Sequence, residues 1–326
     1  MKLILASVMF LFATVLVAEG QSNNRVLDLL RPIQESFKGP PLSPEAQRQM
    51  EERLTEARAR YASNPHDPEA IIWLGRRTAY LGRFHEAIDI YTKGINQHPR
   101  YAKLYRHRGH RYITMRGFDL AVADLERAAK LIAGKPDEIE PDGLPNARNT
   151  PTSTSHSNIW YHLGLAYYLS GDFKNALRSY RECLKFSKND DMLAATTHWL
   201  YMTLRRLRRE EEATRLLAGM PEKMDIIENR DYHELLLMYK GKISPERLLD
   251  EAAADSNSLR FASVGYGVGN FYLYNGQHEM ALKVLLRIME SQQQTSFGYI
   301  AAEAELKRIG VITHPRQSLP TRTMWD

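Results

Sequence analysis

The sequence predicts an all-α solenoid of about five helix-turn-helix units with flanking capping helices. Two observations carry that prediction. One set of small and large apolar positions recurs at a spacing of 34 residues, and glycines and prolines punctuate the chain where helices must stop or start.

The repeat is read directly. Gly75, Phe84, Ala87, Tyr91 and Gly94 are followed, 34 residues on, by Gly109, Phe118, Ala121, Leu125 and Ala128. A third copy begins near Asn158: Trp160, Leu163, Gly164 and Tyr167, then Gly171, Phe173, Ala176, Tyr180 and Cys183. This W-x2-L-G-x2-Y series resembles the tetratricopeptide repeat (TPR). In such a unit two antiparallel helices meet at a tight turn. Gly75, Gly109 and Gly164 on the first helix, with Ala87, Ala121 and Ala176 on the second, let the pair approach closely. Trp160, Tyr167 and Tyr180 fill the space between neighbours. One pair cannot bury its apolar face alone, so units stack.

In chain order, residues 1–20 read as a signal peptide. Lys2 precedes an uncharged apolar run, Leu3–Ala18, and Ala18 and Gly20 are small residues placed for cleavage before Gln21. Export to the periplasm or the extracellular space is expected. Residues 21–42 form a leader whose Val26–Phe37 part suits a short helix. Residues 43–67 form an N-terminal capping helix, opened by Ser43 and running from Pro44 to about Tyr61. TPR units 1 and 2 occupy 68–133. Residues 134–157, rich in Pro, Asn, Thr and Ser and carrying Asp137, Glu138, Glu140 and Asp142, read as a disordered insertion.

Units 3 and 4 occupy 158–221; in the fourth, Tyr201 replaces the helix glycine and Arg208 the turn glycine. Residues 222–261 hold a shorter helix pair, Asp231–Tyr239 and Pro245–Ala254, with Gly241 ending the first and Ser244-Pro245 starting the second. Unit 5 and a terminal helix occupy 262–309. There Gly269, Tyr272, Gly276, Ala281 and Leu285 return to pattern, and Phe297–Ile309 closes the stack. Residues 310–326, including Trp325, form a loose tail.

Composition narrows the function. The 44 Lys+Arg against 39 Asp+Glu give a net charge of only +5, too even for a nucleic-acid binder. Cys183 is the sole cysteine, so no intrachain disulfide forms and no cysteine near the cleavage site can carry a lipid. It sits at a small-residue position and is expected to be a buried packing element. His107 and His110 could share a metal but lack companions at ligand spacing. Gly265-Tyr-Gly-Val-Gly269 lacks the Lys-Ser/Thr ending of a phosphate loop. The run Arg205–Arg209 is neutralised by Glu210–Glu212 and suits a turn between helices. No enzyme activity, cofactor or metal is expected.

The TPR resemblance implies that the first helix of each pair lines a concave surface. Arg76 and Tyr80 then come from unit 1, and Lys103, Arg106, His110 and Ile113 from unit 2. Tyr161, Leu165 and Tyr168 come from unit 3, and Tyr266, Asn270 and Tyr274 from unit 5. His198, Met202 and Arg205 are the corresponding residues of the irregular fourth unit. One half of that surface is cationic and the other aromatic. Such a groove suits an extended peptide with acidic groups or a free C-terminus. The alternative is that Arg106, Arg108 and Arg111 form a solvated helix face.

The C-terminal half carries a narrower likeness. His198-Trp-Leu-Tyr-Met, Tyr239-Lys-Gly-Lys-Ile-Ser-Pro-Glu-Arg-Leu248 and Asn270-Phe-Tyr-Leu-Tyr-Asn-Gly276 resemble the corresponding run in NlpI-type periplasmic TPR adaptor lipoproteins. The resemblance spans about residues 68–309 and implies an exported, non-catalytic adaptor that recruits proteases or cell-wall hydrolases. The chain departs from that family in lacking the lipidated cysteine and in carrying the 134–157 insertion. Expected partners are other proteins or peptides, with no nucleic acid and with membranes met only through partners. A homodimer is left open, and a structural accessory subunit of an envelope or secretion complex is the alternative reading.

Overall fold

A computed structural model describes residues 41–255 and 258–312. The chain divides into Met1–Lys38 and Gly39–Asp326, and every described residue belongs to the second unit. The expected signal peptide at 1–20, the leader up to residue 40 and the tail from 313 onward, Trp325 included, lie outside the described residues.

The first helix, α1 (Pro44–Ser63), starts where the sequence places it. The Ser43 hydroxyl accepts the Ala46 N–H at 3.2 Å, and proline occupies the first turn. Helix pairs follow: α2 (Pro68–Tyr80) with α3 (Phe84–Gln97), α4 (Ala102–Thr114) with α5 (Phe118–Ile132), and α6 (Ser155–Ser170) with α7 (Phe173–Phe186). Then come α8 (Asp190–Arg206) with α9 (Glu210–Ala218), α10 (Arg230–Tyr239) with α11 (Pro245–Ala254), and α12 (Ser258–Tyr274) with α13 (His278–Met289). The terminal helix is α14 (Phe297–Arg308). The fold is all-α, and among the described residues the only β feature is one isolated bridge. None of the described helices is long and apolar enough to cross a membrane.

The repeat glycines occupy equivalent places. A Cβ on Gly75 would stand 2.3 Å from the Tyr91 ring, one on Gly109 2.8 Å from Leu125, one on Gly164 2.7 Å from Tyr180, and one on Gly269 3.1 Å from Leu285. In every case the obstructing residue lies sixteen positions on. The fourth unit has Tyr201 and Leu217 at these two places, both buried. Tyr201 cannot slide beneath a partner helix; its ring stacks on Tyr239 of α10 at 4.4 Å instead.

Turns repeat as well. Gly82, Gly171 and Gly276 adopt φ of 76°, 89° and 78°, and the equivalent turn residues Arg116 and Arg208 are forced to 63° and 56°. That left-handed region is costly for a residue with a Cβ.

Residues 134–157, expected as a disordered insertion, are folded instead. Ile139 and Thr154 form an antiparallel bridge. The Glu140 N–H donates to the Ser153 carbonyl at 3.1 Å, and the Ser155 N–H to the Glu138 carbonyl at 2.8 Å. Arg148 pairs with Asp225 at 2.8 Å, and the Asn146 amide donates to Glu228 at 2.6 Å. A segment poor in apolar residues is thus fixed by charge and backbone bonds rather than by burial of hydrocarbon. Helix α6 also begins before Asn158, because Thr154 and Ser157 cap its first turn reciprocally.

The stack closes on itself. Helix α14 contacts α6 as well as α12 and α13, so it lies across the inner row of first helices rather than only at the end. Gly298 permits this: a Cβ there would stand 2.1 Å from the Ala262 carbonyl oxygen. Arg116 binds Glu303 at 2.8 Å, Arg206 binds Glu305 at 2.7 Å, and Arg308 donates to the Leu169 carbonyl at 3.2 Å.

Candidate functional site

The concave residues named from the sequence fall into two groups with different fates. The aromatic half is interior. Tyr161, Tyr168 and Tyr266 are 7%, 1% and 1% exposed, and Leu165, Asn270, Ile113 and Met202 are wholly buried. The Tyr168 hydroxyl accepts from the Tyr266 hydroxyl at 2.9 Å and from the Asn270 amide at 3.0 Å. His198 is buried between Tyr232 and Tyr239, stacked on their rings at 4.8 and 5.9 Å. Tyr274 lies under the Arg205 guanidinium at 4.5 Å, and Arg205 also reaches Asn275 at 3.0 Å. The structure therefore brings Tyr168, Tyr266 and Asn270 together, but inside the closed array. They are not the wall of an open trough, because α12 and α14 fill the space a partner would enter.

The cationic half is a cleft, and the chain's own acidic segment lies in it. Arg76 donates to the Pro141 carbonyl at 2.9 Å, and Arg77 to the Gly143 carbonyl at 2.6 Å. Lys103 pairs with Glu138 and with Glu69, each at 3.1 Å. Arg106, 8% exposed, meets Glu140, 4% exposed, at 3.1 Å. Tyr80 closes over the segment: a Cβ on Gly143 would overlap its hydroxyl, at 1.5 Å. Helices α2 and α4 share the charge, Arg76 and Arg77 coming from the first and Lys103 and Arg106 from the second.

The reading of that run as a solvated face is corrected at two positions. Arg108 makes a bidentate pair with Asp124, 2.7 Å on each side, and Arg106 is buried against Glu140. His107 and His110 are held neutral, their pKa values pushed well below the ordinary range first by burial and then by the neighbouring arginines. Neither ring has ligand companions. The Nδ1 of His107 accepts from Arg106 at 2.9 Å, while His110 lies 4.5 Å from the His162 ring. Among the described residues no group of three or more His, Cys, Asp or Glu could hold a metal ion. Cys183 is wholly buried beside Thr196, and burial pushes its thiol up to about 12.

Beneath the segment lies a cavity of about 110 Å³ lined by Arg76, Tyr80, Tyr91, Arg106, His107, His110 and Arg111. Sequence reasoning missed Arg77 and Arg111 as basic residues of this region and Glu140 as the counterion of Arg106. The available signal was charge complementarity: Asp137-Glu-Ile-Glu-Pro-Asp142 is the most acidic stretch of the insertion, and α4 is its basic counterpart. A larger cleft, about 310 Å³, opens between α1 and α3 beside Tyr61, Glu86, Asp89 and Lys93. Its lining mixes both charges and presents no convergent chemistry.

The helix pairs, the glycine spacing and the left-handed turns define a TPR solenoid. Residues 157–190 match the tetratricopeptide repeat family model. No curated protein sequence matches the chain significantly. Similar solved structures include YrrB, described as a TPR protein with an unusual peptide-binding site, at 17% identity over 77% of this chain and 97% of that one, TM-score 0.41. MamA is 14% identical over 63% of this chain and 100% of its own, TM-score 0.41. The Cut9–Hcn1 tetramer of the APC/C is 18% identical over 80% of this chain and 40% of that chain, TM-score 0.45.

Proposed function

We propose that this protein is an exported, non-catalytic interaction scaffold whose first two units hold an acidic, extended segment of a partner protein. The observation that carries the reading is the seating of Glu138–Gly143. Four basic side chains from α2 and α4 (Arg76, Arg77, Lys103 and Arg106) grip two carboxylates and two backbone carbonyls of one non-helical segment. Forked guanidiniums select carboxylates and strand carbonyls in a fixed geometry. The internal segment then acts as a stand-in that a partner displaces. Export is supported by Lys2 and the apolar run Leu3–Ala18. Recruitment of envelope proteases or cell-wall hydrolases is supported only by the likeness of the C-terminal half to NlpI-type adaptors.

The test uses a labelled peptide copying Pro136–Gly143. Fluorescence anisotropy should show weak binding to the wild type. A Glu138→Gln/Glu140→Gln variant, whose internal segment is loosened, should bind at least tenfold more tightly, and adding Arg106→Ala should abolish the gain. A helical, folded double variant with no affinity for the peptide would sink the reading.

A further inference from the structure

We infer that the cavity beneath the Glu138–Gly143 segment is a binding site for a small tetrahedral oxyanion of the inorganic phosphate or sulfate class. The inference goes beyond the peptide cleft and does not depend on it: the cavity is lined by residues of α2, α3 and α4 and by none of the segment. Three guanidiniums, those of Arg76, Arg106 and Arg111, line the cavity, and one of them, that of Arg106, is ion-paired with Glu140, which is not itself a lining residue. The lining thus carries three positive charges and no negative one. Asp142, the next acid along, makes no close ion pair with any of the three among the described residues and of their charges feels only that of Arg76.

Unused bonding capacity points the same way. Arg106 lines the cavity and is more than nine-tenths buried, yet its Nε has no hydrogen-bond partner. Arg111 has no ion-pair partner among the described residues; its guanidinium lies over the Phe84 ring at 5.7 Å, and the charges around it are the repelling ones of Arg106 and Arg76. Burying an unpaired guanidinium is expensive, and an oxyanion bound across two or three of them removes that cost. The neighbouring imidazoles fit the role. His107 and His110 are kept neutral, so each can lend an N–H without adding to the repulsion. The His107 Nδ1 accepts from Arg106, which leaves its Nε2 as the donor, 3.6 Å from Glu140.

Size and access restrict the ligand. About 110 Å³ accommodates a five-atom oxyanion with accompanying water and excludes a nucleotide or a sugar phosphate. Surplus charge favours a dianion over a simple carboxylate. Tyr80, which lines the cavity, abuts Gly143 so closely that no side chain fits between them.

The experiment is calorimetric and thermal titration of the full exported chain with sodium phosphate and sodium sulfate, against sodium chloride at equal ionic strength. Phosphate or sulfate should raise the unfolding midpoint by several degrees and bind with one site per chain, while chloride should do neither. Arg111→Gln should weaken binding at least tenfold with the helical signal unchanged. Arg106→Lys, which keeps the charge and removes the Nε fork, should also weaken it. Glu140→Gln should tighten it by removing the competing anion, which separates this site from one built by general positive charge. Equal stabilisation by chloride, or binding unaffected in both Arg111→Gln and Arg106→Lys, would overturn the inference. If Arg111→Gln fails to fold, the Arg106→Lys and Glu140→Gln pair still decides it, since their effects must be opposite in sign.

Discussion

Tyr180 occupies the space that any side chain at position 164 would need: a methyl on Gly164 would lie 2.7 Å from the tyrosine ring. The phenol is wholly buried, and burial holds its pKa well above the ordinary value. The same two places are filled by Gly75 with Tyr91, Gly109 with Leu125 and Gly269 with Leu285. The glycine is thus half of a contact, and its partner is legible at a fixed spacing.

Gly164→Ala should therefore destabilise the fold by about 1–3 kcal/mol, the usual cost of overfilling a close-packed contact. Urea unfolding followed by circular dichroism measures it. Combining the change with Tyr180→Leu should recover part of the loss; simple additivity of the two losses would show that these residues do not share the space.

Arg208 is exposed and sits at a φ of 56°, where its unit should have a glycine. Arg208→Gly should stabilise the protein by up to about 1 kcal/mol, as relief of left-handed strain exceeds the added chain entropy. Arg116→Gly at the equivalent turn should do the reverse, because Arg116 also holds Glu303 at 2.8 Å. Opposite signs of the two midpoint shifts are the readout.

Gly298 sets the seat of α14. Gly298→Ala would place a methyl 2.1 Å from the Ala262 carbonyl oxygen, and backbone cannot swing away as a flexible side chain can. The helix should lift from α12, with faster amide hydrogen exchange across Phe297–Arg308 and a loss of about 1–3 kcal/mol. Unchanged exchange in that helix would refute the contact.

His198 gives the pH dependence. Burial lowers its pKa from the ordinary 6.5 to about 3. Its depressed value means that the unfolded chain takes up a proton that the folded chain refuses. Stability from this residue is full above pH 6.5 and falls as pH drops towards 3. At pH 5 the loss is about 2 kcal/mol, at roughly 1.4 kcal/mol per unit. His198→Phe keeps an aromatic ring against Tyr232 and should flatten the stability profile between pH 6.5 and 5; an unaltered slope would exclude the residue as its source.

Most of the fold could be read from residue spacing because each repeat glycine has its partner a fixed distance away, and because Ser43 and Ser244 mark helix starts by their own chemistry. The site was harder. Tyr168 and Tyr266 lie 98 residues apart in the chain, and nothing in a 34-residue pattern shows that the inner faces of units 3 and 5 touch. Both side chains are buried, where the sequence reading has them face a partner. The acidic insertion misled for a related reason. Low apolar content predicts disorder only when no complementary charge awaits the segment, and Arg106 is such a charge for Glu140.

The bond between Arg116 and Glu303 spans 187 positions of chain. Ordinary repeat arrays have only nearest-neighbour contacts, so they can fray from either terminus and lose units one at a time. A clasp joining the second unit to the last helix removes that freedom. Melting should be all-or-none, and refolding should be slow for an all-helical chain, because the ends must find each other before either is secure.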